Sequence, residues 1–289
     1  MPAKRRTRTA KKRYPIKHWS HSSLMSFLRN PLAWYKRYVE LVFDAPASPS
    51  SIVGRAGHKA LEHFYSGMGK EAAIALGLEY LRGVPDFELE FGKARSKKAR
   101  KEKRRAMEEE YLRAIGFYLE KPPRHKVLGV EVKGVAAVEG LPLPLKAVSD
   151  LVVESRAVPG AVDIVDHKFV ETWSKAGKSK TLFVIQAIFN YYVVQALFDR
   201  PVARFVVYEC KKSKNKEGGP QLKRYVLDYE DLKAEFAVFR RLVADASAEI
   251  ARERSYLPNP YDFFEGESSF DLYRLGLVEG AEREELTLP

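Results

Sequence analysis

The segment 161-AVDIVDHKFV-170 decides the fold, because it combines the composition of a core strand with charged side chains. Its aliphatic and β-branched residues follow a Pro-Gly turn signal, which is typical of a strand start. Side chains alternate faces along a strand with a period of two, so Asp166 and Lys168 point to the same side. Burying a charge is costly unless the charge is paired or bound to a metal. The segment therefore predicts a strand that carries an acid and an amine side by side on one face.

The neighbouring segments extend this strand into a sheet with flanking helices. Residues 127–138, 143–154 and 161–170 have strand patterns separated by turn-like breaks, which predicts an antiparallel meander. Further strands are predicted at 202–210 and 222–228. Helices are predicted at about 22–41, 55–67, 70–82, 93–120, 181–199 and 229–253. This order predicts an α/β or α+β fold with a helical N-terminal part.

Composition bounds the class of protein and its partners. The chain has 289 residues, and residues 18–254 are expected to form a single domain. The net charge of +12 favours a polyanionic partner, with nucleic acid ahead of an anionic membrane. The single cysteine, Cys210, excludes an intrachain disulfide framework and a cysteine-based metal cluster. Because neither an apolar run of about 18 residues nor a secretory signal is present, a soluble cytoplasmic protein is expected.

Charged segments lie at both ends of the chain and on one predicted helix. Residues 1–17 are basic and are expected to form a flexible arm, either solvated or lying on phosphates. The basic run 94–105 is either a solvated helix face or a track along a nucleic-acid backbone. Residues 255–289 are acidic and irregular, which predicts a tail along the surface.

A second acid lies at the distance expected of a neighbouring strand. Asp150 precedes Asp166 by sixteen positions (166 − 150), enough for the chain to turn and return beside itself. Two carboxylates and Lys168 would then converge at one end of the sheet. Like charges this close repel and raise one pKa unless a divalent cation lies between them, and oxygen ligands suit Mg²⁺. The alternative is a surface-facing strand with a Lys–Asp pair that adds little stability.

Two polar residues on the predicted helices are further candidates. His58 lies four residues after Gly54 and shares a helix face with Leu61 and Tyr65. A lone histidine in this setting is most often a core or surface residue. Gln186 interrupts the otherwise apolar helix that follows the charged strand, and its alternative is a helix-surface glutamine.

The order of these residues resembles the RecB-like branch of the PD-(D/E)XK nuclease superfamily, which includes CRISPR-associated RecB-like nucleases and phage or bacterial recombination exonucleases. The pattern runs from Ser20 to Tyr192 as S-x-S-x-L-x-x-F-x-x-x-P-x-x-W-Y, G-x-x-x-H, D, D-x-K and Q. The D-x-K element alone is weak, whereas several elements in the right order are more specific. The resemblance implies a restriction-endonuclease-like core with a central mixed sheet flanked by helices.

The resemblance also implies roles for individual residues. Asp150, Asp166, the Asp166–His167 backbone carbonyl and His58 would hold the metal. Lys168 would be the catalytic lysine, and Gln186 would match the glutamine of a Q-x-x-x-Y motif. Glu131, on the preceding strand, is a weaker candidate, because a strand glutamate that points to solvent is equally expected.

The chain departs from the pattern of the family it resembles in three respects. The position four after Gln186 is Asn190 instead of tyrosine, with Tyr191 and Tyr192 following. Some relatives hold an iron–sulfur cluster through cysteines, and this chain has none at the corresponding places, so no iron–sulfur cluster is expected. No P-loop of the G-x-x-x-x-G-K-[ST] type is present, which excludes a helicase motor within this sequence.

The function implied is a Mg²⁺- or Mn²⁺-dependent deoxyribonuclease. An exonuclease acting on double-stranded ends or single strands is expected, in recombination, repair or phage DNA processing, in a prokaryotic or phage-infected cell with a recombination or repair partner protein. The alternatives are a structure-specific or nicking endonuclease and a non-catalytic DNA-binding subunit. Basic side chains and one tyrosine are expected to contact DNA, although core packing is the stronger alternative for the tyrosine: Lys97, Lys98, Arg100, Lys101, Lys211, Lys212 and Tyr191.

Overall fold

The fold was analysed in a computed structural model that describes residues 14–42, 46–174, 179–215, 219–252 and 254–259. The chain divides into two compact units, which are described separately. The first comprises Met1–Phe43, Ala137–Pro144 and Arg240–Pro289, and the second comprises Asp44–Ala136 and Leu145–Phe239. Most of the predicted basic arm and of the acidic tail lies outside the described residues.

The first unit begins with a short strand and two helices in place of the one helix predicted at 22–41. They are β1 (Trp19–Ser20), α1 (His21–Arg29) and α2 (Pro31–Tyr38). The break falls at Asn30, whose side chain caps α2 by accepting a hydrogen bond from the Ala33 N–H at 3.2 Å. Pro31 occupies the first turn of α2, where its missing N–H costs nothing. Asn-Pro thus starts a new helix, because the residue before a proline disfavours helical backbone.

An aromatic cluster forms the core of the first unit. Trp34 lies 5.7 Å from Trp19, 5.0 Å from Phe27 and 5.5 Å from Tyr256, measured between ring centroids. The buried Trp19 indole donates a hydrogen bond to Ser247 Oγ at 2.9 Å, so its polar atom is satisfied. The aromatic spacing of residues 19–34 therefore serves packing within this unit.

The second unit contains the sheet. Its helices and strands are, in chain order, α3 (Pro49–Tyr65), α4 (Lys70–Gly83), α5 (Lys97–Glu120), β2 (Val127–Ala136), β3 (Leu145–Glu154), β4 (Val162–Val170), α6 (Ser179–Leu197), β5 (Val202–Lys211) and β6 (Leu222–Asp228). A further helix, α7 (Lys233–Ile250), begins in this unit. Short 3₁₀ turns lie at Asp86–Glu88 and Tyr229–Leu232.

The strands pair in the order β2-β3-β4-β5-β6. The pairs β2–β3, β3–β4 and β5–β6 are antiparallel, whereas β4 and β5 are parallel. A parallel pair needs a long crossover, and α6 supplies it. The sheet is therefore mixed and flanked by helices, which confirms the predicted fold class and the predicted meander.

The two faces of the sheet have different coverings. On one face, Val152, Ile164 and Phe205 pack against α6 residues such as Ala187 and Val194. On the other face, Leu151, Val153, Val165 and Val206 form a second cluster that Tyr65 of α3 contacts. Because side chains alternate along β4, its even-numbered residues face α6 and its odd-numbered residues face away.

No helix among the described residues is long and apolar enough to cross a membrane.

Candidate active site

The first feature of the site is the point where β3 and β4 separate. The last residues in the β3–β4 register are Leu151 and Val165, so Asp150 and Asp166 form the next opposite pair. At this point the Asp150 carboxylate takes the place of a backbone partner, since its Oδ2 accepts the His167 N–H at 2.7 Å. Asp150 and Asp166 thus lie at the same level on neighbouring strands, as the sequence predicts, but within the strands and not at an end of the sheet.

Asp166, Lys168 and Gln186 form one connected group. Lys168 Nζ lies 2.8 Å from Asp166 Oδ2 and donates a hydrogen bond to Gln186 Oε1 at 3.1 Å. Gln186 Nε2 in turn donates to Asp166 Oδ1 at 2.6 Å. Asp166 is only 7% exposed, so this is not the weak surface pair of the alternative interpretation. Helix α6 therefore orients both charged groups of β4 through a single amide.

His58, Glu131 and Asp150 form a second group of polar side chains. Potential ligand atoms of the three all lie within 4.8 Å of one another, and His58 Nδ1 is 3.3 Å from Asp150 Oδ2. The β2–β3 register pairs Val130 with Leu151 and Val132 with Ser149, which places Glu131 opposite Asp150. Glu131 has a φ of 48°, a left-handed conformation that is strained for a residue with a side chain.

A glycine next to His58 lets α3 approach the sheet. A Cβ at Gly57 would lie 2.3 Å from Cε2 of Phe169, the residue after Lys168. Gly54, in contrast, has open space around its missing side chain. The close packing of α3 against β4 therefore depends on Gly57, and it brings the His58 ring to 6.2 Å from the Phe169 ring.

The electrostatics of these side chains reflect crowded negative charge. Desolvation opposes the charged form of His58, but the Asp150 carboxylate outweighs it and raises the pKa of His58 to about 9. Desolvation also opposes ionisation of Asp150, and His58 together with the His167 N–H holds the pKa of Asp150 well below its usual value. Desolvation and the Asp150 charge raise the pKa of Glu131. Desolvation likewise raises the pKa of Asp166, against the effect of Lys168.

This donor set fits a divalent cation. Carboxylate oxygens are the ligands that Mg²⁺ and Mn²⁺ favour, and an imidazole is tolerated by Mn²⁺ and its neighbours. A cation between Glu131 and Asp150 would relieve the repulsion that raises the pKa of Glu131. The side chains that converge here are therefore suited to bind a metal.

His167 contributes to the site through its backbone and not through its ring. The ring lies on the other face of β4, stacked at 5.5 Å on Tyr65, and its Nδ1 is 2.8 Å from the Tyr118 hydroxyl. Burial lowers the pKa of His167 to about 3. The D-H-K spacing places the two charged residues on one face and the imidazole in the apolar layer opposite.

Sequence reasoning missed the role of Asn190. This residue is 3% exposed, accepts a hydrogen bond from Ser149 Oγ at 2.6 Å and donates to the Gln186 carbonyl at 2.9 Å. It links α6 to the residue before Asp150. The spacing of four residues from Gln186 puts both side chains on one helix face, and this was the available signal.

The residues expected to contact DNA separate into exposed and buried sets. Lys97, Lys98, Arg100 and Lys101 are exposed at the start of α5. Lys211 is partly exposed, with its Nζ 5.9 Å from the centre of the Trp173 ring.

Lys212 and Tyr191 depart from the expectation of a DNA contact. Lys212 is 1% exposed and pairs with Glu171 at 2.9 Å and Glu110 at 3.0 Å. Tyr191 packs 4.8 Å from the Tyr229 ring and 4.9 Å from the Phe236 ring. Lys212 is buried and Tyr191 is partly buried in an apolar cluster, so we leave both out of the DNA-contact surface.

The sequence of the chain matches one family of known proteins. The family model described as PD-(D/E)XK nuclease superfamily matches residues 18–263. The chain belongs to the PD-(D/E)XK nuclease superfamily. It is accordingly a nuclease, of a family that acts on DNA with divalent metals.

No curated protein matches the sequence. Among solved structures, the chain is similar to the one titled "Crystal structure of SSO0001", with 14% sequence identity and a TM-score of 0.30, covering 78% of this chain and 83% of that one.

Proposed function

We propose that the chain is a Mg²⁺- or Mn²⁺-dependent deoxyribonuclease of the RecB-like branch, and that it is an exonuclease acting on DNA ends. The observation that carries the proposal is the convergence of His58, Glu131 and Asp150 beside the bonded Asp166–Lys168 pair. A subunit without catalytic function would not need both the acids and the lysine. Their presence favours an enzyme over a DNA-binding subunit built on the same fold.

In this proposal the metal ligands are His58, Glu131 and Asp150, completed by Asp166 and the carbonyl at Asp166–His167. Glu131 is promoted from a weak candidate, because the register puts it opposite Asp150. A bound cation would supply Lewis-acid activation of the scissile phosphate and lower the pKa of the attacking water. The His167 N–H and His58 hold the Asp150 carboxylate at its place.

Lys168 is the proposed catalytic residue that is not a metal ligand. Its ammonium can orient a water molecule and offset the negative charge that develops on the phosphate. Asp166 and Gln186 both contact Nζ, so the ammonium is held in position before substrate arrives. Gln186 is the positioning residue of the pair, since it bonds the acid and the amine together.

The exposed basic residues of α5 and Lys211 are the proposed DNA contacts. Lys97, Lys98, Arg100 and Lys101 would bind phosphates without reading sequence. Trp173 beside Lys211 offers a ring for a frayed or single-stranded base. We include no iron–sulfur cluster, because Cys210 is the only cysteine of the sequence. A role in recombination, repair or phage DNA processing follows from the RecB-like pattern.

The test compares end-labelled linear DNA with closed circular DNA, each with Mg²⁺, with Mn²⁺ and with a chelator. Wild-type protein is run beside Asp150→Asn and Lys168→Ala, with Arg241→Gln, an exposed residue of α7, as the matched control. We expect degradation of linear DNA only, which is lost in chelator and in both site variants and kept in the control.

Cleavage of circular DNA would replace the exonuclease with a structure-specific or nicking endonuclease. Activity in chelator, or full activity of Asp150→Asn, would contradict the proposed metal site. DNA binding without cleavage under either metal would favour the non-catalytic subunit.

A further inference from the structure

A cleft lies on the face of the sheet opposite the Asp166–Lys168 pair. Its volume is about 430 Å³. Asp163 and Val165 line it from β4, and Val206 and Tyr208 line it from β5. These odd-numbered β4 residues alternate with Ile164 and Asp166, which face α6. The cleft is therefore distinct from the site proposed to cut DNA.

The cleft carries positive charge in excess of its acids. Four arginines line it, namely Arg124, Arg156, Arg204 and Arg224. Arg204 is neutralised by Asp163, since its Nη2 lies 2.5 Å from Asp163 Oδ2. The second acid of the lining, Glu154, is paired outside the cleft with Lys126 and Arg200.

The other three guanidinium groups have no carboxylate within 4.0 Å among the residues that the structure describes. The cleft thus carries three arginines that no carboxylate of the described residues pairs with, beside the neutralised Arg204. Guanidinium groups are the side chains best suited to bind phosphate through paired hydrogen bonds.

Two rings that line the cleft indicate that the ligand also carries a flat ring. His125 and Tyr208 both line the cleft, with ring centroids 5.8 Å apart. His125 Nε2 is buried and has no hydrogen-bond partner among the described residues. Burial, together with Arg156 and Arg224, lowers the pKa of His125 to about 4, so the ring is neutral at neutral pH, with one nitrogen that donates a hydrogen bond and one that accepts. The cleft therefore offers two uncharged rings, an imidazole and a phenol, beside its cations.

We propose that this cleft binds a mononucleotide, with the phosphate on Arg156 and Arg224 and the base against Tyr208 and His125. The volume lies within the range of about 300–1,000 Å³ that is usual for small-molecule sites. Ring stacking accepts any base, so no base preference is expected. A phosphorylated strand end offers the same chemistry, and the experiment separates the two sources. This binding does not require the proposed nuclease activity.

The experiment is calorimetric titration of the full chain in chelator at low salt. Chelator prevents a nucleotide from binding through a metal at Asp150. The ligands are a nucleoside monophosphate, the matching nucleoside, inorganic phosphate and a 5′-phosphorylated oligonucleotide. The variants are Arg224→Gln and Arg156→Gln, with Arg241→Gln as the control that removes one exposed charge elsewhere. Thermal unfolding checks that each variant folds, because Arg156 also bonds the Arg124 carbonyl and Arg224 also bonds the Tyr208 hydroxyl.

We expect the mononucleotide to bind, and Arg224→Gln to weaken it about tenfold or more, because hydrogen bonds to charged groups are strong. The control should keep wild-type affinity, and the nucleoside and inorganic phosphate should bind at least about tenfold more weakly. The proposal is overturned if the mononucleotide does not bind, or if folded Arg224→Gln binds as the control does. Equal affinity for inorganic phosphate or for the nucleoside also overturns it. Binding of the oligonucleotide alone would assign the cleft to a strand end instead.

Discussion

At the scale of single residues, Asp150 organises the site. Its carboxylate accepts a backbone N–H of β4, lies 3.3 Å from His58 and is opposite Glu131 in the β2–β3 register. A neutral residue in place of Asp150 would remove the carboxylate that raises the pKa of His58. The ionisation of His58 is therefore a direct readout of the site.

In the absence of metal, we expect the free energy of unfolding to depend on pH through His58. Its pKa is raised from 6.5 to about 9, so the stabilisation is fully present below pH 6.5 and is lost as pH rises through 9. The ring is partly exposed, so we expect only about 1–2 kcal/mol after solvent screening. Chemical unfolding in chelator from pH 6 to 10 measures this, and His58→Gln should flatten the profile. A profile unchanged in His58→Gln would contradict the assignment.

Metal binding should show the opposite dependence on pH. A metal ligand must be unprotonated, so the affinity for Mn²⁺ should rise as pH increases towards 9. Titration calorimetry of wild type and His58→Gln measures the effect. The variant should bind more weakly and lose most of the pH dependence, whereas identical pH profiles would remove His58 from the ligand set.

At the scale of elements, α3 and α6 hold the site from two sides. Helix α3 approaches β4 closely because residue 57 has no side chain, and α6 delivers Gln186 to Asp166 and Lys168. Gly57 therefore sets the distance between α3 and β4, and Gln186 sets the positions of Asp166 and Lys168 relative to α6. The contact of α3 at Gly57 and the contact of α6 with Ser149 through Asn190 can both be tested without changing a charged group.

Gly57→Ala should destabilise the protein by about 1–3 kcal/mol, because its Cβ would overlap the Phe169 ring. Gly54→Ala, on the same helix, meets open space and should be neutral or stabilising by up to about 1 kcal/mol. Denaturant unfolding of both variants measures the difference. Equal stabilities would mean that α3 does not depend on close contact at Gly57.

Asn190→Ala should cost about 1–3 kcal/mol, because it leaves the buried Ser149 hydroxyl without its acceptor. The double variant Ser149→Ala, Asn190→Ala removes both partners and should be more stable than the sum of the single changes predicts. A double-mutant cycle on the free energy of unfolding measures this coupling. Strict additivity would show that the 2.6 Å contact contributes nothing specific.

At the scale of the whole molecule, the net charge is +12, and the basic residues that contribute to it differ in their exposure to solvent. The basic start of α5 is exposed, whereas Lys212 is buried between Glu110 and Glu171. Only exposed cations release counterions from DNA phosphates. The two sets should therefore behave differently in a binding experiment.

Replacing Lys97, Lys98, Arg100 and Lys101 by glutamine should weaken DNA binding and reduce the slope of log affinity against log salt by up to about 3 to 4. Lys212→Met should leave that slope unchanged and destabilise the fold by about 1–3 kcal/mol, since it leaves the partly buried Glu110 carboxylate without its partner, whereas the exposed Glu171 stays solvated. Fluorescence anisotropy across a salt series and denaturant unfolding separate the effects. An unchanged slope in the fourfold variant would show that DNA does not contact the basic start of α5.

The sequence by itself determined the order of helices and strands, the meander, and the placement of Asp166 and Lys168 on one face with Asp150 level beside them. These follow from local stereochemistry, because side-chain alternation and turn residues act over a few positions. The break at Asn30 was equally local, in the Asn-Pro pair, and was missed.

Only the tertiary structure decided which groups meet. It brought Glu131 opposite Asp150, joined Gln186 to both charges of β4, used Asn190 as a tie to Ser149 and took Lys212 into the interior. Each of these contacts joins residues distant along the chain. Strand register and helix packing set such contacts, and neither is encoded in a short window of sequence.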